Sequence, residues 1–317
     1  MGKFGGGGKK KYKISTQCGG MVTKIISINI IVYIVVAIFA INCSKEQSVI
    51  NDGYGDYLSV PAGEFRMGDN FDEGNSDEIP VHTVYLATYY IGKFKITNGE
   101  YKKFIDDGGY LNSRYWDTGG FGEYGNKPEY WNDPANRGGE ITGNEKYPVV
   151  GVSWFEAMAY CNWLSEKTGR LYRLPTEAEW EKAARGIYQK RYAWGDNIDE
   201  HYANYDNGGD RKRMKLTPVG YYNGSVHNGF ATNDNASPYG AYDMTGNISE
   251  WCYDWHDTKY YSVSPRENPK GPESGSSRVL RGGGYVDSAY YQRAAGRHKM
   301  DAHYKSYKTG FRCVCEN

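Results

Sequence analysis

Residues 239–251 read YGAYDMTGNISEW. Gly246 and Asn247 predict a tight turn at its centre, because both residue types tolerate backbone conformations that other side chains disfavour. The residues after the turn, Ser249–Tyr253, predict a strand. The stretch therefore predicts a turn that leads into a strand, with one acidic residue before the turn and one after it.

Upstream of this stretch, three pairs of residues predict helix starts. In each pair a hydroxyl residue is followed three positions later by a glutamate, and the two side chains reciprocally satisfy free backbone N–H groups. The second predicted helix carries an apolar stripe and ends at Gly169, and the third ends at Gly186. The three capping pairs are Thr97 with Glu100, Ser153 with Glu156, and Thr176 with Glu179.

Beyond Arg185 the helical period disappears, and short Tyr- and Trp-rich runs are cut by Gly, Asn, Asp and Pro. A few helices in a loop-rich, irregular β framework predict an α+β fold. No internal repeat and no linker divides residues 58–317, which we interpret as one domain. Further strands are predicted at Val81–Ile91, Ser277–Leu280 and Gly310–Val314.

The composition excludes several classes of protein. Of 317 residues, 39% are hydrophobic and 15% are aromatic, which is too many for a disordered chain. The 41 glycines keep no period of three, so collagen is excluded. Residues 1–42 contain six lysines and no acid, and the rest carries 32 basic and 38 acidic residues. A mildly acidic body without a basic stripe predicts no nucleic-acid partner.

The N-terminal residues indicate export. Residues 25–41 form an apolar run of 17, which is short for a membrane span, and Lys24 precedes it. Read from Met21, the segment resembles a bacterial lipoprotein signal with Cys43 as the lipidated residue. We expect residues 1–43 to be a flexible start and signal, and 44–57 a tether. The protein would then be an exported lipoprotein held at the outer membrane or cell surface by a lipid anchor; an uncleaved signal anchor is the alternative.

The cysteines and histidines predict no zinc site. No C-x-x-C pair and no H-E-x-x-H pattern occurs. Cys313 and Cys315 lie on the same side of a predicted strand, and Cys161 lies on a predicted helix face. A bridge from Cys252 to Cys313 or Cys315 is left open, because connectivity cannot be read from the sequence.

Eight stretches, in the same order, resemble the formylglycine-generating, sulfatase-modifying-factor superfamily over residues 58–315. The resemblance implies an elaborated C-type-lectin-like fold with little regular secondary structure. The stretches are FRMG at 65–68, EIPVH at 78–82, KITNGEY at 95–101, PVVGVSW at 148–154, YRLPTEAEWE at 172–181, YGAYDMTGNISEW at 239–251, RVLRGGG at 278–284 and GFR at 310–312.

The same resemblance argues against the oxidase activity that gives the family its name. The oxidase resembles this chain up to Gly284, after which it uses two cysteines to bind copper, a soft metal that thiolates select. No cysteine lies between Gly282 and Arg312, and Asp287 stands about where the first thiolate would be. We therefore expect no copper and no formylglycine-generating activity, with an enzyme of the sulfatase-modifying type that uses other residues as the alternative.

Residues 285–309 also resemble the varied segment of variable proteins of diversity-generating retroelements, including the treponemal lipoprotein type. In such proteins the varied side chains form an exposed ligand-binding face, and tyrosine suits that role because it offers a large amphipathic contact area at low rotameric cost. The expected ligand is a protein or glycan at the cell surface; an ordinary superfamily lipoprotein of unknown ligand is the alternative. The candidate ligand-binding residues are Tyr285, Asp287, Ser288, Tyr290, Tyr291, His298, Asp301, His303, Tyr304 and Tyr307.

The superfamily resemblance implies structural calcium. Ca²⁺ is a hard cation that takes about six to eight oxygen ligands. Asp243, Gly246, Ile248 and Glu250 match the first site, for which the alternative is two solvated acids beside a tryptophan. Asn204 and Tyr205 match part of a second site, although the loop that should complete it, 206–216, is short in this chain.

Overall fold

The computed structural model describes residues 47–131, 144–206 and 215–316. The expected signal segment and Cys43 lie outside the described residues. Within the described part of the chain, no helix is long and apolar enough to cross a membrane.

Three α-helices begin at the three predicted capping pairs. Thr97, Ser153 and Thr176 each accept a hydrogen bond from the backbone N–H three residues on, and the glutamate at that position returns one to the cap. Gly169, with φ of 71°, ends the second helix in the left-handed conformation, as predicted. The helices are α1 (Asn98–Asp106), α2 (Trp154–Thr168) and α3 (Glu177–Arg185).

Strands from the two ends of the domain meet in an antiparallel five-stranded sheet of order β1-β2-β5-β13-β6. Val314 lies opposite both Ile91 and Arg173, so the last strand occupies an interior position. The strands are β1 (Val49–Asn51), β2 (Asp56–Val60), β5 (Tyr89–Gly92), β6 (Tyr172–Arg173) and β13 (Val314–Cys315).

A second sheet holds the turn and strand of residues 239–251, in the order β11-β10-β9-β12. Asn247 has φ of 67° and Gly246 has φ of 87°, and a Cβ on Gly246 would lie 2.7 Å from the Asn204 carbonyl oxygen. The turn therefore requires glycine, as the sequence predicted. The strands are β9 (Ser249–Trp255), β10 (Arg278–Arg281), β11 (His298–Met300) and β12 (Thr309–Gly310).

Two strand pairs complete the described architecture, and their positions correct two predictions. The single strand expected at Val81–Ile91 is two strands, because the chain leaves one sheet after Leu86 and enters another at Tyr89. The strand expected at Gly310–Val314 is likewise divided between two sheets. The pairs are β3 (Gly63–Met67) with β4 (His82–Leu86), and β7 (Val226–His227) with β8 (Phe230–Ala231). The α+β fold class is confirmed.

The tether expected at residues 44–57 is too long. Val49 and Asn51 pair with Leu58 and Asp56, so β1 forms a hairpin with β2 and is part of the sheet. This strand could not be predicted from the sequence, because it has only three residues, which are mostly exposed, and a polar, glycine-containing turn follows it.

The thiols are arranged differently from the expected bridge. Cys313 and Cys315 pack in one apolar cluster while Val314 packs in the other, so the predicted same-side arrangement is correct. The partner of Cys313 is Cys161, with 3.4 Å between the two sulfurs, and Cys252 belongs to the other cluster. Of the alternatives left open for Cys313, the structure therefore places it beside Cys161 on α2 and not beside Cys252.

Candidate functional site

Buried arginines fix the C-terminal segment, residues 285–309, to the domain. Arg293 donates to both carboxylate oxygens of Glu78 over 2.7 and 2.8 Å. Arg297 does the same to Glu177, at the start of α3, over 2.8 Å for each bond. All four residues are buried, so each pair is a two-bond, charge-assisted contact. These arginines alternate with the Tyr-rich positions and act as anchors beneath them.

The carboxylate of Glu177 remains ionised despite burial. Burial alone would raise the pKa of Glu177, but Arg297 and Arg281 lower it below its usual value. Arg281 also donates to the carbonyls of Ala295 and Gly296 over 2.7 and 2.6 Å. The backbone of the segment is therefore tied to the same charged cluster as its side chains.

A cavity of about 490 Å³ opens above these anchors. Tyr291 and Tyr304 line it with 45% and 37% of their surfaces exposed, and Met300 adds an apolar surface. The volume lies in the range of sites that bind small ligands. The remaining lining residues are Asn75, Asp77, Ser249, His256, Leu280, Asp287, Arg297, His298, Lys299, Lys308 and Thr309.

The polar groups of this cavity are mostly positioned by the chain itself. Asp287 accepts a hydrogen bond of 2.9 Å from the Gly284 N–H, and its other oxygen contacts the Lys308 ammonium. A ring nitrogen of His298 lies 3.2 Å from the Tyr291 carbonyl oxygen, and burial lowers the pKa of that histidine. The cavity therefore presents exposed aromatic rings beside a fixed carboxylate, a fixed ammonium and an imidazole.

Of the ten candidate ligand-binding residues, Asp287, Tyr291, His298 and Tyr304 line this cavity, whereas Tyr285 lies inside the domain. Tyr285 is 4% exposed and packs in a small apolar cluster, so its place on an exposed face is wrong. It follows the Gly-rich turn directly, where the chain is still inside the domain. The exposed candidates are Ser288, Tyr290, Tyr291, Asp301, His303 and Tyr304, and the partly buried ones are Asp287, His298 and Tyr307.

Two contacts near the C-terminal segment could not be identified from the sequence, and one of them lies in the cavity lining. Asp77 and His256 are joined by a bond of 2.8 Å between Oδ2 and Nε2, although 179 residues separate them. His303 meets the Tyr124 hydroxyl at 2.7 Å and the ring of Phe155, both outside the Tyr-rich segment. The EIPVH stretch, which begins directly after Asp77, is the sequence signal that lies next to this pair.

The whole domain matches a family model described as the sulfatase-modifying factor enzyme 1-like domain, over residues 46–317. The chain belongs to the sulfatase-modifying factor family. Within this family it is 34% identical to the formylglycine-generating enzyme of Streptomyces coelicolor, over 81% of this chain and 88% of that protein.

Two solved structures have the sulfatase-modifying factor fold seen here. Treponema denticola variable protein 1 has a TM-score of 0.61 at 25% identity, covering 86% of this chain and all of that one. PvdO from Pseudomonas aeruginosa has a TM-score of 0.65 at 24% identity with the same coverage. The superfamily resemblance drawn from the eight stretches is thus confirmed.

In the part of this sulfatase-modifying factor domain that the structure describes, no cysteine lines the cavity. Cys161, Cys252, Cys313 and Cys315 are all fully buried in the apolar clusters. Among the described residues, no group of three or more His, Cys, Asp or Glu side chains is arranged to hold a metal ion. The donors present at the cavity therefore do not suit Cu(I), which prefers thiolates.

The residues matched to the second calcium site, Asn204 and Tyr205, lie within the described part of the chain. Asn204 is buried, and its amide donates 2.8 Å to the Lys215 carbonyl oxygen, while Tyr205 is partly buried. The middle of the loop expected to complete this site, residues 207–214, lies outside the described residues. At the first site, the carboxylate of Glu250 contacts cations of the chain itself, Lys95 and Arg312.

Proposed function

We propose that this domain is a non-catalytic binding module that recognises a ligand in the cavity above the arginine anchors. The observation that carries the proposal is the pair of exposed rings, Tyr291 and Tyr304, at the rim of a cavity that contains no thiol. The anchors beneath keep the rings in position, which reduces the entropy lost on binding. Among the described residues, the cavity has no thiolate that could bind copper for an oxidation reaction.

Among the expected ligand classes, the cavity favours a glycan over a protein surface. Its volume suits about one or two sugar rings, and exposed tyrosines provide flat faces against which a sugar ring packs. Asp287 and Lys308 offer an acceptor and a donor for hydroxyl groups, and Lys299 is exposed at the rim. A glycan that carries an acidic group would have a cationic partner in Lys299.

Two features support a role at the cell surface. The lipoprotein-like signal around Cys43 would anchor the protein to a membrane from outside, with a short tether before β1. The similarity to Treponema denticola variable protein 1 supports a proposal that residues 285–309 are diversified, because the exposed positions alternate with buried anchors that diversification must preserve.

The test is binding of the full-length protein, in detergent, to a glycan array. We expect one glycan group to bind, and the double variant Tyr291→Ala/Tyr304→Ala to weaken it at least tenfold, about 1.4 kcal/mol. The matched control is Tyr85→Ala/Tyr188→Ala, which removes two exposed rings that are not part of the cavity lining. Equal loss in both variants would contradict the assigned site.

A second measurement separates binding from catalysis. The same preparation, loaded with Cu(I) under reducing conditions, is incubated with a cysteine-containing sulfatase peptide and the peptide mass is followed. We expect no conversion of the cysteine to formylglycine. Turnover would overturn the non-catalytic proposal, and a failure to bind any glycan together with binding to purified surface proteins would overturn the choice of glycan.

A further inference from the structure

Lys95 lies in the segment that connects β5 to α1, and its side chain is fully buried. Its ammonium contacts the stretch of residues 239–251. The Nζ atom donates to the Ile248 carbonyl oxygen over 2.7 Å and to Glu250 Oε1 over 2.6 Å. A buried ammonium is costly unless it is paired and hydrogen-bonded, and here it has both kinds of contact.

These two acceptors are half of the oxygen set that the superfamily resemblance assigns to calcium. The other half is also engaged by the chain. Asp243 Oδ2 accepts the Gly220 N–H over 2.7 Å, and the Gly246 carbonyl oxygen accepts the Ile248 N–H over 2.9 Å. A calcium ion needs about six to eight oxygens at roughly 2.3–2.6 Å, so it would have to displace the ammonium that lies among them.

Glu250 is held by a second cation. Arg312, from the GFR stretch, donates Nε to Glu250 Oε2 over 2.6 Å and Nη2 to Oε1 over 3.0 Å. The same guanidinium donates to the Gly92 and Tyr242 carbonyl oxygens, each over 2.9 Å. Both oxygens of Glu250 are therefore occupied by donors from the chain.

The charges within this cluster already balance. Asp243 and Glu250 supply two acidic groups, and Lys95 and Arg312 supply two basic groups, all of them at most 1% exposed; burial raises the pKa of Asp243 and lowers the pKa of Lys95. A Ca²⁺ ion added beside the ammonium of Lys95 would therefore leave a surplus of two positive charges among buried groups. Coulomb repulsion between like charges at such separations is large in a low-dielectric interior.

We infer that the ammonium of Lys95 replaces the calcium ion that the superfamily resemblance places in this turn. The chain thereby supplies its own cation to the carbonyl of Ile248 and the carboxylate of Glu250. The turn and strand β9 would then hold their shape at any concentration of free calcium, which is useful to a protein whose surroundings do not fix that concentration.

The test compares two buried lysines in the full-length protein. Lys95→Ala removes the ammonium from the carboxylate-bearing turn. The matched control is Lys182→Ala, because Lys182 is also buried but donates only to the carbonyl oxygens of Pro61 and Gly63. The melting temperature of each protein is measured in EDTA and in millimolar CaCl₂, with MgCl₂ as the ion control.

We expect calcium to leave the wild type and Lys182→Ala unchanged and to raise the melting temperature of Lys95→Ala by several degrees, because the vacated oxygens now accept the ion. The same calcium response in Lys95→Ala and Lys182→Ala would overturn the inference. If both variants fail to fold, the wild type decides: a calcium-induced rise in melting temperature that Asp243→Ala abolishes would overturn it, and the absence of such a rise supports it.

Discussion

The guanidinium of Arg293 and the carboxylate of Glu78 face each other through two hydrogen bonds of 2.7 and 2.8 Å, across 215 residues of sequence. This pair joins the exposed Tyr-rich segment to the turn that precedes β4. The ring of Tyr290 lies over the same guanidinium, 4.3 Å from it. An anchor of this kind explains how exposed tyrosines can be held in fixed positions by a segment with little regular secondary structure.

Breaking this pair should destabilise the domain strongly. Removing one partner of a buried ion pair leaves an uncompensated charge and typically costs about 3–5 kcal/mol. We expect Arg293→Met and Glu78→Gln each to lower the free energy of unfolding by that order. The double variant should lose clearly less than the sum of the two, and chemical denaturation of all four proteins measures this coupling. If the loss in the double variant equalled the sum of the two single losses, the two side chains would stabilise the domain independently of each other.

Several parts of this architecture could be predicted because their signals are local. The capping pair of Ser153 and Glu156 lies within one helical turn, and the turn at Gly246 depends on the backbone freedom of a single residue. The pairing of Arg293 with Glu78 has no such signal, because nothing in the sequence relates residues that only the folded chain brings together. For the same reason, the contact of Lys95 with Glu250, 155 residues away in sequence, could not be predicted.

Cys161 and Cys313 should form a disulfide when the protein folds under oxidising conditions. The sulfurs of Cys161 and Cys313 are 3.4 Å apart, and burial raises the pKa of the Cys313 thiol well above its usual value. The thiol of Cys313 in the folded protein is therefore a poor nucleophile, and the bond should form during folding. Closing a loop of this length stabilises the fold by roughly 3–5 kcal/mol in the chain-entropy treatment.

Thiol counting after denaturation checks the disulfide. Protein refolded with a glutathione redox couple should contain two fewer reactive thiols than reduced protein, and peptide mapping should join Cys161 to Cys313. Cys161→Ser should abolish this difference, while Cys252→Ser should leave it. A cross-link that includes Cys252 would contradict the arrangement of the apolar clusters.

Stability should fall with rising pH because of Asp254. Burial, and next the charge of Glu177, raises the pKa of Asp254 to about 8, whereas an unfolded aspartate has a pKa near about 4. Between these values the folded chain binds a proton that the unfolded chain has lost, so the free energy of unfolding decreases as pH rises. The contribution is complete below about pH 4 and lost above about pH 8.

The variant Asp254→Asn isolates this effect. Asp254 Oδ2 accepts the Glu177 N–H over 2.8 Å at the start of α3, and an asparagine oxygen can keep that bond. We expect the variant to match the wild type near pH 4 and to exceed it by a few kcal/mol at pH 8, measured by denaturation at fixed pH. The exposed Asp257→Asn, whose carboxylate also accepts a backbone N–H, should show no such pH-dependent gain.

Replacement by alanine should affect stability at Tyr285 and ligand binding at Tyr291. Tyr285 packs with Val150, Leu216 and Ile248 and is 4% exposed, so its removal leaves a cavity that typically costs about 3–5 kcal/mol. Tyr291 is 45% exposed, and its loss should change the free energy of unfolding by less than about 1 kcal/mol. Ligand binding should fall in Tyr291→Ala at an unchanged melting temperature. Equal destabilisation by the two variants would mean that Tyr291 supports the fold instead of standing free at the cavity.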